Sequence, residues 1–432
     1  MKTFVSACLA ALTAASGTGD LDFTSIGKFD IKHAAFLQVT QFDDSEEFLL
    51  VTAFSGTPLS HGSVTIVPGV KDAVTAGDVS GLQGTKLDTG RTAFQWPNDA
   101  MVVPSDVFAG QRAIVVPDGF LVPGHSDGGV YVISMDPTDL TATTGTVKIS
   151  PDKNGYFYHM GQWVDLNGDG RKDFITARSN AKPGQGELVW FEHPEGGLDA
   201  TPWTEHIVTT GPDVGIEIDT FSQYRDEIVV FAAQFFDQKL ALYRVSTKDG
   251  SLVDSRTIDD TTILDAYSVA LVDLNGDGNK ELLVNNHEKD DKTNGVYAYT
   301  LPSDLMTGDW EKSTLASGFK NARSLFVPNM APGFPYAVWP QGYKQGERAH
   351  ILVAGDGDHD AHVLMPTGDA SSFEYEDEVI VQAGGTVGAL ATADLDGDGW
   401  LEMYMPNYDK GYIQVYTLSA AASTETPTTF LQ

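Results

Sequence analysis

The chain has 432 residues, room for two or three ordinary domains or one large repeat array, and it carries 44 glycines and 20 prolines. Its formal net charge of −33 argues against nucleic acid and anionic membranes as partners, because a strongly acidic field repels both. Apolar runs are short and rich in Val, Ile, Phe and Tyr. No long stretch after the N-terminus shows a helical apolar period, so an all-β protein is predicted.

In chain order, Met1 to Gly17 reads as a secretory signal peptide. Lys2 is its charged start, Phe4 to Leu12 its apolar segment, and Ala14 to Gly17 its small-residue cleavage region. The single cysteine, Cys8, falls inside it. A mature secreted, extracellular protein would then have no disulfide and would depend on packing and bound ions. No later segment approaches a membrane span.

Seven units of strand, turn and strand follow. Their second strands are expected to start at Phe48, Ile114, Phe174, Ile228, Leu282, Tyr336 and Met403. A third strand follows in most units, for example Glu187-Leu-Val-Trp-Phe191 and Gly295-Val-Tyr-Ala-Tyr299, and then a more polar fourth. Four strands repeated seven times predict a seven-bladed β-propeller over residues 18–418. The seventh unit ends after its third strand, so Phe23 to Ile31 is expected to serve as its outer strand and close the ring. Residues 419–432, rich in Ala, Ser and Thr, are expected to be a disordered tail.

Three units carry an acidic turn between strands one and two. The first offers Asp165, Asn167, Asp169, the backbone carbonyl of Arg171, and Asp173. The second offers Asp273, Asn275, Asp277, Asn279 and Glu281; the third offers Asp394, Asp396, Asp398, Trp400 and Glu402. Alternating oxygen donors around a glycine turn suit Ca²⁺, which takes six to eight oxygens in a flexible shell. An EF-hand would need flanking helices and a glutamate at loop position twelve; here the flanks are β-prone.

These Asp-X-Asn/Asp-X-Asp-Gly-X-X-Asp/Glu turns resemble the FG-GAP/VCBS repeats of integrin-type propellers. With its secretion signal and the segments Gly155-Tyr-Phe-Tyr-His159 and Pro123-Gly-His-Ser-Asp-Gly-Gly129, the chain is most similar to fungal propellers that include L-rhamnose-α-1,4-D-glucuronate lyases. That resemblance implies a secreted monomeric enzyme acting on a uronate-containing oligo- or polysaccharide. It is one of organisation and assigns no catalytic residue.

The acidic turns mark one propeller face. The opposite face, formed by approaches to strand one and by strand-two-to-three turns, is where side chains converge on the central channel. Sequence position places His61, His125, Arg178, Lys182, His287, Lys344, Tyr408 and Lys410 in those turns. It places His33, Asn98, Tyr156, Tyr158, His159, Tyr267 and Arg323 on the approaches. Basic groups gathered on an acidic protein suggest an anion site. For β-elimination of a uronate, a base and an acid are drawn from His61, His125, His159 and Tyr158, with Arg178 and Arg323 as carboxylate clamps. Plainer roles compete: Arg178 could brace a blade, Trp163, Trp190 and Trp203 read as packing, and Asp356-Gly-Asp358-His-Asp360 reads as a solvated turn without a following repeat strand. Two-carboxylate hydrolysis, a sugar dehydratase and an integrin-like lectin are the alternatives. A lectin should repeat one residue set in several blades, and these turns share none.

Overall fold

The computed structural model describes residues 21–55, 60–90, 92–119, 128–322, 330–369 and 371–421. The expected signal peptide, His125, Arg323 and most of the expected tail lie outside them.

Seven four-stranded antiparallel sheets form the molecule, each with its strands in consecutive order except the last. Second strands are buried along their whole length, as in Phe48–Ala53, Asp173–Ser179 and Glu402–Asn407. They read as unbroken apolar runs because each sheet is covered by a neighbouring blade on both faces. Fourth strands such as Leu252–Asp259 are largely exposed and polar. The core is correspondingly divided into seven apolar clusters, one at each blade interface. This is a seven-bladed β-propeller.

The last sheet is closed by the other end of the chain. Leu21–Asp30 pairs antiparallel with Tyr412–Ala420, bringing Phe23 opposite Leu418 and Phe29 opposite Ile413. Phe23 and Phe29 are 4% and 3% exposed, each in a different interface cluster. The last strand runs two residues past Leu418, so Ser419 and Ala420 belong to the sheet and not to a tail.

Blade six departs from the expected register. Tyr336 lies on the inner strand, Pro335–Val338, and the second strand is His350–Ala354. The physical reason is burial on both faces. Ile351-Leu-Val-Ala354 is fully buried, whereas Tyr336 and Ala337 are only half-buried. Two consequences follow. Lys344 sits in the strand-one-to-two loop on the acidic-turn face, not at the channel mouth. The Asp356–Asp360 segment is a strand-two-to-three turn, followed by the repeat strand Ala361–Thr367.

Ring closure should be sensitive to its aromatic anchors. Phe29→Ala is expected to cost about 3 to 5 kcal/mol, read as a shift in the denaturant midpoint.

Candidate functional site

The three acidic turns fold alike. In the first, Asp165 accepts hydrogen bonds from the Gly168 and Gly170 amides at 2.8 and 2.9 Å. Asp273 takes those of Gly276 and Gly278 at 2.8 and 3.0 Å, and Asp394 those of Gly397 and Gly399 at 2.9 and 3.1 Å. Both glycines of every turn have positive φ, for example 73° and 87° at Gly168 and Gly170. That is why the motif demands Gly at two places. The closing carboxylates Asp173, Glu281 and Glu402 are buried and accept the Leu166, Leu274 and Leu395 amides. Burial, then the neighbouring carboxylates, pushes Glu281 and Glu402 up to about 7; burial lifts Asp173 to about 6.

The donor set is all oxygen and fits a hard cation. Asp394, Asp396 and Asp398 are the one group of three among the described His, Cys, Asp and Glu residues whose ligand atoms lie within 4.8 Å of one another. The other two turns carry Asn at the matching position and have an added contact. The Arg171 guanidinium reaches Asp169 within the first, and the Tyr343 hydroxyl donates to Asp273 at 3.1 Å in the second.

On the opposite face, aromatic rings from several blades meet at the channel. Phe36 of blade one lies 6.1 Å from His159 of blade three and 5.9 Å from Phe334 at the approach to blade six. Tyr267, on the inner strand of blade five, packs at 5.0 Å on Phe334 and at 4.5 Å on His287. His287 follows the second strand of blade five and is 9% exposed. Its Nε2 lies 3.4 Å from Asp356 Oδ2, which blade six contributes. Buried Asn285 fixes the two blades together by donating to the carbonyls of Pro332 and Gly333 at 2.9 and 3.0 Å. Asp213 holds the adjoining Phe235 and Phe236 amides at 2.8 Å each.

This constellation has defined protonation chemistry. Burial, then the nearby Asp356 charge, raises the Tyr267 hydroxyl well above its ordinary range, so it stays protonated at neutral pH. Asp356 lies close enough to Nε2 of His287 to orient the ring. His159, 1% exposed, is pushed down to about 3 by burial and is therefore neutral. Sequence position alone puts His287 and Tyr267 on this face without a role, and gives Asp356 only as part of a solvated turn. Only the correct register of blade six reveals that Asp356 faces His287.

Of the residues expected to carry catalysis, Tyr158 and Arg178 are brought into contact, and His61 lies apart from them. His61 is exposed and lines a cleft with Lys86, Asp88 and Thr89, formed by blade one and the segment that follows it. Tyr158 is completely buried in the interface of blades two and three. Arg178 is completely buried too, donating through Nε to Glu187 at 2.7 Å, through Nη2 to Glu205 at 2.9 Å, and through Nη1 to the Tyr158 hydroxyl at 3.3 Å. Its guanidinium is committed to these partners, so Arg178 braces blade three and does not serve as a substrate clamp. His125 and Arg323 lie outside the described residues. Trp163 and Trp203 pack in one interface and Trp190 in the next.

One further charged cluster stands at the outer part of blade six. His362 Nδ1 is 3.0 Å from Asp377 Oδ1 and Nε2 is 3.3 Å from Asp358 Oδ2. Burial opposes the charged ring, but the bonds to Asp358 and Asp377 outweigh it and lift His362 to about 9.

No protein-family model matches the chain, and no curated protein sequence matches it. Among solved structures it is similar to the Dos1 propeller, at 10% identity over 93% of each chain, with a TM-score of 0.45.

Two outcomes follow from the charged groups. Arg178→Ala should destabilise the fold by about 3 to 5 kcal/mol, because Glu187 and Glu205 are left without their buried counter-charge; thermal unfolding reads this. His362 is raised above its ordinary value of 6.5, so its stabilisation is complete below that pH and is lost as pH rises through about 9. The loss is at most about 3 kcal/mol. Wild-type protein should lose denaturant resistance over that window, and His362→Gln should lose markedly less.

Proposed function

We propose that this protein is a secreted, integrin-like propeller of the FG-GAP/VCBS type that cleaves a uronate-linked sugar by β-elimination at its channel mouth. The observation that carries the reading is the placement of His287 between Asp356 and Tyr267 in an aromatic opening. Elimination needs a base for the carbon-bound proton beside the carboxylate and an acid for the departing oxygen. His287, oriented by Asp356, takes the proton from C5. The electron pair forms the C4–C5 double bond, the C4–O bond breaks, and Tyr267 protonates the released sugar oxygen. A cation facing the substrate carboxylate would stabilise the enolate-like transition state. We assign Arg323 to it on chain position alone.

Rings around the mouth suit a sugar. Phe54 stacks on Trp96 at 5.5 Å, and Tyr408 lies 6.0 Å from Phe54. Trp96 holds φ at 97°, a conformation a bulky residue adopts only under constraint. Asp118 helps hold it, accepting the Gln95 amide at 2.9 Å.

The acidic turns are read as Ca²⁺ sites. Asp394, Asp396, Asp398, the Trp400 carbonyl and Glu402 would hold one ion, and the matching residues at 165–173 and 273–281 two more. An ion there supplies positive charge to carboxylates that burial otherwise disfavours. Their position opposite the mouth makes the role structural.

Incubation with gum-type and other uronate polysaccharides should generate the ultraviolet absorbance of an unsaturated uronate. His287→Ala should lower the rate by about 10²- to 10⁴-fold, and Tyr267→Phe should also slow it, both with unchanged melting temperature. Sugar binding without that product would sink the lyase reading and favour a lectin. Chelation is expected to lower the melting temperature and Ca²⁺ to restore it, the gain rising with the logarithm of free ion above the dissociation constant; Asp394→Ala should blunt both responses.

A further inference from the structure

The turn that supplies Asp356 is held in an unfavourable shape. Asp356 and His359 both have positive φ, 51° and 68°, though neither is glycine. Such residues persist only where the surroundings over-determine them. The turn is closed by the Gly355 amide donating to the Asp360 carbonyl at 3.0 Å and by the His359 amide donating to the Asp356 carbonyl at 3.1 Å. A Cβ at Gly355 would lie 2.1 Å from that Asp360 carbonyl oxygen, so only glycine closes the turn. Outside contacts come from the Met330 carbonyl, which accepts the Gly357 amide at 3.0 Å, and from Gly384, whose amide donates to His359 at 2.9 Å.

The side chain at the turn's centre, Asp358, is anchored by charge. It sits 3.3 Å from His362 Nε2, and His362 Nδ1 lies 3.0 Å from Asp377 on the outer strand Glu374–Val381. Asp358 also accepts the Lys320 amide at 3.2 Å. Phe319 covers the His362 ring edge-on at 5.0 Å. The charged groups facing His362 are Asp358 and Asp360 from the turn and Asp377 from the outer strand; Lys320, from the approach to blade six, acts on Asp360.

We propose that His362 is a positioning residue: clamped between Asp358 and Asp377, it fixes the strained turn that presents Asp356 to His287. The inference rests on the catalytic reading of His287 only for its purpose, since the clamp and the turn exist without substrate. Outer-strand charge thus governs a contact at the channel mouth through one turn.

The test is the ring-nitrogen NMR spectrum of His287 in the full-length, histidine-labelled protein without substrate. Asp356→Asn sets the reference displacement of the His287 Nε2 resonance. His362→Gln and Asp377→Asn should each move that resonance in the same direction, by at least about half the reference displacement, and should add nothing when combined with Asp356→Asn. Asp377 is 34% exposed at its side chain, so its variant keeps the experiment decisive if His362→Gln does not fold. A His287 resonance that stays in place while the melting temperature falls would overturn the proposal and leave His362 a purely stabilising residue. Displacement of the resonance in a protein that cleaves no uronate would uphold the clamp and fail the lyase reading instead.

Discussion

Everything in this molecule depends on burying both faces of each blade's middle strands. A four-stranded sheet cannot do this alone, and two stacked sheets would leave outer faces wet. Arranged in a ring, every sheet has two neighbours, and the apolar clusters fall between them. The ring in turn fixes the chemistry. Inner strands converge on an axis, so short excursions at one end of the blades bring groups from distant parts of the chain together. Tyr267, His287, Phe334 and Asp356 are neighbours for that reason.

The two ends of the blades differ in what repeats, although blade-to-blade bonds such as Tyr343 to Asp273 also occur at the acidic-turn end. At one end, aspartates accept backbone amides within their own turn, and the geometry is local and repeated. At the other, the stabilising bonds cross from blade to blade. Asn98 donates to the Tyr158 carbonyl of the next blade at 3.1 Å, and Asn285 reaches the approach to blade six. Local turns tolerate duplication; crossing bonds differ at every interface. That difference explains why one face looks periodic while the other carries an asymmetric mouth.

Much of the fold was legible in the sequence because its signals are local. Leu282-Leu-Val284 and Met403-Tyr-Met405 announce buried strands, and three Asp-Gly turns with equal offsets announce a repeat. Blade six was misread because Tyr336-Ala-Val338, bounded by prolines, imitates a second strand, and an eleven-residue loop at 339–349 hides the true one. The mouth was legible only as a face. Which histidine meets which carboxylate depends on register, and a shifted blade made Asp356 look solvated. Arg178 shows the reverse limit: its basic charge was visible, but Glu205, which occupies it, lies two strands away.

The pairing of Leu21–Asp30 with Tyr412–Ala420 has a consequence for how the molecule comes into being. Gln414 hydrogen-bonds Ser25 across 389 residues of chain. A ribosome delivers the first partner long before the second, so the N-terminal strand has no sheet partner until Tyr412–Ala420 has been made. Six blades can assemble as they emerge, but the seventh interface cannot. Closing the ring therefore needs a pairing of very long sequence separation, the kind of contact that slows folding. Until it occurs, the open ring carries two exposed strand edges that invite pairing with another copy.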